Sequence, residues 1–494
     1  MKLQVLSLAL CALFSATGAH AAKPAAAAAP AAAHAEDAQY KAAEALTEAQ
    51  IKESKRRDML SRLAKLYDGR DLPRFTWTLE RLVELTPNAG DLRLQLAALY
   101  ATQGDKTRSY DALLRLQAQG YAYDLSNDER FNKVHGTKVW DYLLANFAAN
   151  SKPFGEGHVA LSLPQGDKLF ESIAWDAKRK QFVVGSAREG AIYLADSAGK
   201  LTDFIKTDAA SGLWSVLDLK ADAENDALWV VSAGVAVFKG YTADVVGKSQ
   251  LLKYQLSSGK LLGSFTPEDG AKGHLFTTVA LGKDGAVYVA DGVKNEIYKL
   301  ADKKLTMIAA NPLLTAIRGL TVTDDGRTLY FADRTLGIFG IDLAQNKPFD
   351  VTHSTDRLVV GGANALYWFD GTLIIVQDGM IPERVMRLKL DKTGHQILSA
   401  MPLQASDPAM TQPGLGTLAG NDFYFIANSQ KDLYDGYGVL RDEKMLEPTH
   451  IFKNDARFAW DQNGIPGGTG VIPVQKGDGT IIPAKNAAPK PIGK

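Results

Sequence analysis

The chain has 494 residues, 46% of them hydrophobic, which is enough apolar material for a sizeable globular core. Its 56 basic and 56 acidic side chains cancel, so net charge exerts no pull toward nucleic acid or anionic lipid. Cys11 is the only cysteine, which excludes an internal disulfide framework and thiolate-rich zinc sites.

Met1 and Lys2 precede an apolar run, Leu3 to Phe14, and then Ala19-His20-Ala21. A short basic start, an apolar stretch and small residues at −3 and −1 predict a signal peptide over 1–21, cleaved after Ala21. The run is too short to span a bilayer. Leu10 before Cys11 is not the small residue that lipid attachment needs. Export without cysteines points to a bacterial periplasm. Residues 22–36 are nearly all alanine and proline and read as a flexible linker.

From 37 to 150 the pattern is helical. Leu63-Ala-Lys-Leu-Tyr67 recurs as Leu96-Ala-Ala-Leu-Tyr100, an offset of 100 − 67 = 33 residues. Thr86-Pro87-Asn88 falls between the copies, and Gly69-Arg70-Asp71 and Gly104-Asp105 supply turns after each. This punctuation resembles the tetratricopeptide repeat, with Ser109 where that family usually carries alanine.

From 151 to 463 short β-rich runs alternate with Asp-Gly-type turns. Six copies of strand, tight turn, aromatic-rich strand, turn and outer strand begin near Glu171, Trp214, Thr277, Ile317, Asn364 and Gly414. One such sheet cannot bury both faces alone, so the copies must stack around an axis as a six-bladed β-propeller. The expected fold class is therefore mainly β, with a small helical domain in front. A strand near Met445 to Phe452, or the segment just before Glu171, is expected to close the ring. Residues 464–494 are rich in Gly, Pro and Lys and read as a flexible tail.

Ile317-Arg-Gly-Leu-Thr-Val-Thr-Asp-Asp-Gly-Arg-Thr-Leu-Tyr-Phe-Ala-Asp333 resembles a blade of the SMP-30/gluconolactonase/LRE-like superfamily. Gly285-Ala-Val-Tyr-Val-Ala-Asp291 with Asn295-Glu-Ile-Tyr-Lys-Leu300 also resembles an NHL repeat. The first resemblance implies a divalent cation, Ca²⁺ or Mg²⁺, at the channel mouth, held by a glutamate of the first blade and Asn and Asp side chains of later blades. Glu171 matches that glutamate. Arg318 stands where the asparagine should be, and Asn364 where the aspartate should be. A guanidinium cannot coordinate a cation and repels it, so the metal site is expected to be degenerate and no cofactor to be required.

Aligning the blades on their turns puts Glu171, Trp214, Thr277, Arg318, Asn364 and Gly414 at equivalent mouth positions. Glu171 and Arg318, on opposite blades, are expected to face each other. They either form a structural ion pair or make a polar site, with Arg318 gripping a carboxylate or phosphate and Trp214 stacking. His274 and His353 are the candidate general bases. The connections from Asp378 to Arg384 and from Asp432 to Gly436 read as ordinary loops.

Two functions follow. One is a protein- or ligand-binding module without catalysis, its partner a protein held on the helical repeat or the propeller face, or a small anion. The other is a metal-dependent lactonase or esterase at the propeller mouth, implied by the resemblance.

Overall fold

The computed structural model describes residues 43–457, apart from Ala209, together with 472 and 473. The expected signal peptide 1–21, the linker 22–36 and all but two residues of the tail lie outside the described residues.

Six helices come first: α1 (Glu48–Glu53), α2 (Arg57–Tyr67), α3 (Leu72–Leu85), α4 (Gly90–Gln103), α5 (Lys106–Ala118) and α6 (Lys138–Asn150). Their starts carry side-chain caps where the sequence offers them: Thr47 in a capping box, and Asp71 and Asp105 on the backbone N–H of Arg74 and Arg108. The pairs α2–α3 and α4–α5 repeat at the 33-residue offset, with Tyr67 and Tyr100 both buried. Ser109 is fully buried, and its hydroxyl donates to the Ala97 carbonyl at 3.0 Å, which removes the cost of a polar atom there.

Six sheets follow, antiparallel except where the two-residue strand Thr352–His353 joins blade five in parallel, as expected of a six-bladed propeller. Blades one to five run over 170–205, 215–265, 276–310, 317–350 and 363–405, each with its strands in chain order. Blade six contains Gly416–Ala419, Asp422–Ile426 and Thr449–Asp455, and its outermost strand is His158–Leu163, from before blade one. Both segments proposed for closure are therefore used, and N- and C-terminal strands of the ring share one sheet. Second strands such as Ala227–Ala233 and Thr372–Gln377 are buried along their whole length, because each lies between two neighbouring blades. Asp370 and Gly371, both with positive φ, form the tight turn between the first two strands of blade five.

The helical domain packs on the propeller. Met380 and Val359 enter a core with Tyr121, Phe131 and Trp140. Asn88 donates to the Leu336 carbonyl at 2.9 Å, and the Ala122 N–H donates to the Ile381 carbonyl at 2.8 Å. The propeller residues involved lie in connections at the starts of innermost strands or between second and third strands. The helices therefore sit on the mouth face, over blades four and five.

Candidate functional site

Innermost strands start at the mouth face, and in five blades the ladder there skips one residue: Glu171, Leu217, Thr277, Arg318 and Asn364. A bulge kinks the strand and re-aims the extra residue. These five are the equivalent positions. The structure corrects Trp214, which lies three residues upstream of the blade-two bulge. Its backbone N–H donates to Ser232 at 2.8 Å. The blade-six counterpart is Leu415, not Gly414, because Gly414 N–H and Leu415 C=O both pair with Ile426 and leave Leu415 at the kink. Counting from turns could not see this, because a bulge is defined only by how two strands pair.

Thr277 is buried, and its hydroxyl donates to the Ile317 carbonyl of blade four at 3.0 Å. Asn364 donates its amide to the Pro413 carbonyl at 3.2 Å, linking blades five and six. Glu171 keeps one buried carboxylate oxygen, Oε1, without a hydrogen-bond partner. Burial pushes the Glu171 carboxyl above the ordinary range, against the pull of Lys431 and Arg318.

The groups facing Glu171 come from loops that sequence reasoning passed over. Asp378, from the connection after the second strand of blade five, is 3% exposed. Arg334 of blade four binds its Oδ1 at 2.7 Å, and Lys431 of blade six binds its Oδ2. Burial alone raises the Asp378 carboxyl, but Lys431 and Arg334 more than offset it, and the net is below the usual carboxylate range. Two acids and the cations Lys431, Arg334 and Arg318 thus meet at the axis.

Lys431 arrives on a strap, 429–447, that joins the second and third strands of blade six and crosses the mouth. Tyr434 donates to Asp167 at 2.7 Å, and Arg188 of blade one donates to the Gly438 carbonyl at 3.0 Å. Leu433, Tyr434 and Leu440 pack with Leu169, Ala187 and Leu217. A side chain at Gly438 would meet the Ala236 carbonyl at 2.1 Å, so this close approach, at φ +75°, requires glycine. The strap leaves Tyr437 86% exposed at its tip.

A divalent cation does not fit this mouth. Glu171 offers one open oxygen, but Lys431 and Arg318 stand beside it, and both Asp378 oxygens are held by cations. Oxygen-rich, anionic shells are what Ca²⁺ and Mg²⁺ need.

The candidate bases are committed to other contacts. His353 belongs to a two-residue strand on the outer edge of blade five, bonded to the Thr355 carbonyl at 2.7 Å, with its pKa lowered by burial. His274 is buried between Asp291 at 2.7 Å and Asp269 at 2.9 Å, with Lys294 at 3.0 Å from its Nε2. His274, Asp291 and Glu296 have donor atoms close enough to share an ion. Asp291, however, already accepts from His274 and from the N–H of Leu275, Val293 and Lys294. Lys294 and Asp269 are paired at 2.8 Å, and Lys294, with His274, holds Asp269 down at about 2.

No protein-family model matches the chain, and no curated protein matches it. Solved structures do. The PQQ-bound aldose sugar dehydrogenase of Streptomyces coelicolor is 14% identical, with 61% of this chain and 99% of that chain covered and a TM-score of 0.40. A gluconolactonase of Xanthomonas campestris is 12% identical, with 58% and 88% covered and a TM-score of 0.39. The virginiamycin B lyase of Staphylococcus aureus is 14% identical, with 62% and 99% covered and a TM-score of 0.40. Likenesses this weak carry no argument about chemistry, and the propeller assignment rests on the six sheets themselves.

Proposed function

We propose that this chain is a non-catalytic binding module, a rigid helical-repeat and propeller block that receives a protein partner on its mouth face. The observation that carries the reading is an asymmetry of exposed apolar groups. Tyr241, Val293, Leu313, Tyr437 and Val439 are all exposed, and all lie in mouth-face connections or on the strap. Among the described residues, no large exposed hydrophobic lies in the hairpins of the opposite face. Val159, Leu262, Met307 and Leu398 are scattered along outer strands, whereas the exposed apolar side chains of the propeller loops gather on the mouth face, and a gathered set favours docking.

The mouth chemistry supports the same reading. Lys431 and Arg318 act on Glu171 with positive charge where a cation would have to bind, His274 is committed to Asp291 and Asp269, and His353 lies on the outer edge of blade five. Export to a periplasm belongs to this proposal. Among the described residues, no helix is long and apolar enough to cross a membrane.

A photo-crosslinking residue at position 437 of the full-length protein, expressed in its own cell, tests the reading against a control at position 258 on the opposite face. A discrete adduct from 437 and none from 258 is the expected result. Equal labelling at both positions, or none at 437, would remove the docking face.

A further inference from the structure

The disagreement between the mouth and a divalent-cation site has a specific form. Two acids, Glu171 on blade one and Asp378 on blade five, face the axis, as a cation site would require. The cation that meets them is part of the chain. Lys431 Nζ binds Asp378 Oδ2, and its charge also acts on Glu171. That contact is made by one of the first residues of the strap, so Asp378 and the strap are fastened to each other there. Arg334 takes the other Asp378 oxygen at 2.7 Å, while the buried Oε1 of Glu171 has no hydrogen-bond partner.

We infer that the Lys431 ammonium, tethered on the 429–447 strap, occupies the place of a metal ion at the propeller axis and fastens the strap across the mouth. Lys431 and Arg334 together balance Asp378 and leave Glu171 only partly compensated. The carboxyl of Glu171 accordingly sits above its ordinary range, whereas that of Asp378 sits below. A divalent ion would hold both acids ionised. The fastening also fixes where the strap presents Tyr437 and Val439, so the inference rests in part on the docking reading.

Removing the ammonium should turn the mouth into a weak metal site. The donors then available are the open oxygen of Glu171, the freed Oδ2 of Asp378 and the Ser429 hydroxyl, with Arg318 and Arg334 keeping affinity low. The test is thermal unfolding of the full-length protein and of Lys431→Ala and Lys431→Gln, each with EDTA, Mg²⁺ or Ca²⁺ at about 10 mM, backed by calorimetric titration with Ca²⁺. The wild type should be indifferent to all three. Both variants should melt lower and recover by about 3 °C or more with Ca²⁺, with measurable heat of binding.

A wild type stabilised by Ca²⁺ and weakened by EDTA would overturn the inference, because a metal would then already hold the mouth. A folded variant that binds no cation would also overturn it. If only one variant folds, that one decides. Crosslinking from position 437 is read independently, so loss of the docking reading and loss of the tethered-cation inference are separate results.

Discussion

The Arg384 guanidinium of blade five donates to the backbone carbonyl of Gln119, at the end of α5, at 3.2 Å. The same group reaches Gln377 Oε1 at 2.7 Å and the Val359 carbonyl at 3.2 Å, and it is 5% exposed. Burial pushes its pKa down to about 10, so it remains charged at neutral pH without a carboxylate partner. Arg384→Met should strand three buried acceptors and cost about 2–4 kcal/mol. Hydrogen exchange should then rise first in α5 and in the segment around Tyr121, before the blades. Uniform exchange across both domains would mean that Arg384 is not the pin between them.

The two axial acids should give stability opposite slopes with pH. Asp378 is depressed in the folded protein, so its contribution is present above the ordinary carboxylate range and is lost as pH falls through its folded value. Glu171 is raised, so folding is favoured while it is protonated and loses ground as pH climbs from the ordinary carboxylate range through its folded value. Glu171→Gln should therefore flatten the fall in stability between about pH 4.5 and neutrality. Asp378→Asn should cost about 3–5 kcal/mol at pH 7, because Lys431 and Arg334 lose their common anion. Urea unfolding across that range reads both. An Asp378→Asn variant as stable as the wild type would count against the axial cluster.

Ring closure can be tested at Leu163, the last residue of the strand that completes blade six. It is fully buried in a cluster with Ile426 and Ile451 of that blade and Phe170 and Ile173 of blade one. Leu163→Ala should cost about 2–5 kcal/mol, comparable with core truncations elsewhere. A chain beginning after residue 165 should expose the Thr449–Asp455 edge and aggregate, since an unpaired strand edge templates association. A soluble, cooperatively folded truncation would show that the ring closes without this strand.

The six blades were legible because each sheet repeats its own turn chemistry and strand period, and those are local. Glu171, Thr277, Arg318 and Asn364 were legible for the same reason, being close to a turn. Leu217 was not, because a bulge is visible only in the pairing of two strands. Nor was Lys431, which meets Asp378 from 53 residues away through a loop whose Asp-Gly turn says nothing of what it crosses. The docking of the helices was equally hidden, since Asn88 and Gln119 each reach the propeller through two hydrogen bonds between irregular segments that leave no periodic trace. Long-range contacts between irregular segments set the mouth, and sequence periodicity says nothing about them.

His274 provides the last test, between a base and a structural pin. Asp291 ends the second strand of blade three as Asp333 ends that of blade four, and both carboxylates gather backbone N–H groups from their turns. Two residues before its own innermost strand, blade four has Thr315, whose hydroxyl donates to Asp333 Oδ1 at 2.5 Å. His274 holds the same place two residues before Phe276, and bonds Asp291 at 2.7 Å. The imidazole is therefore the blade-three version of a threonine staple. His274→Thr should keep stability within about 1 kcal/mol of the wild type, whereas His274→Leu should lose about 1–3 kcal/mol by leaving a buried carboxylate short of a donor. Neither should alter hydrolysis of sugar lactones or aryl esters, which should be absent with or without added metal. A metal-dependent turnover abolished by His274→Thr would replace the binding module with an enzyme.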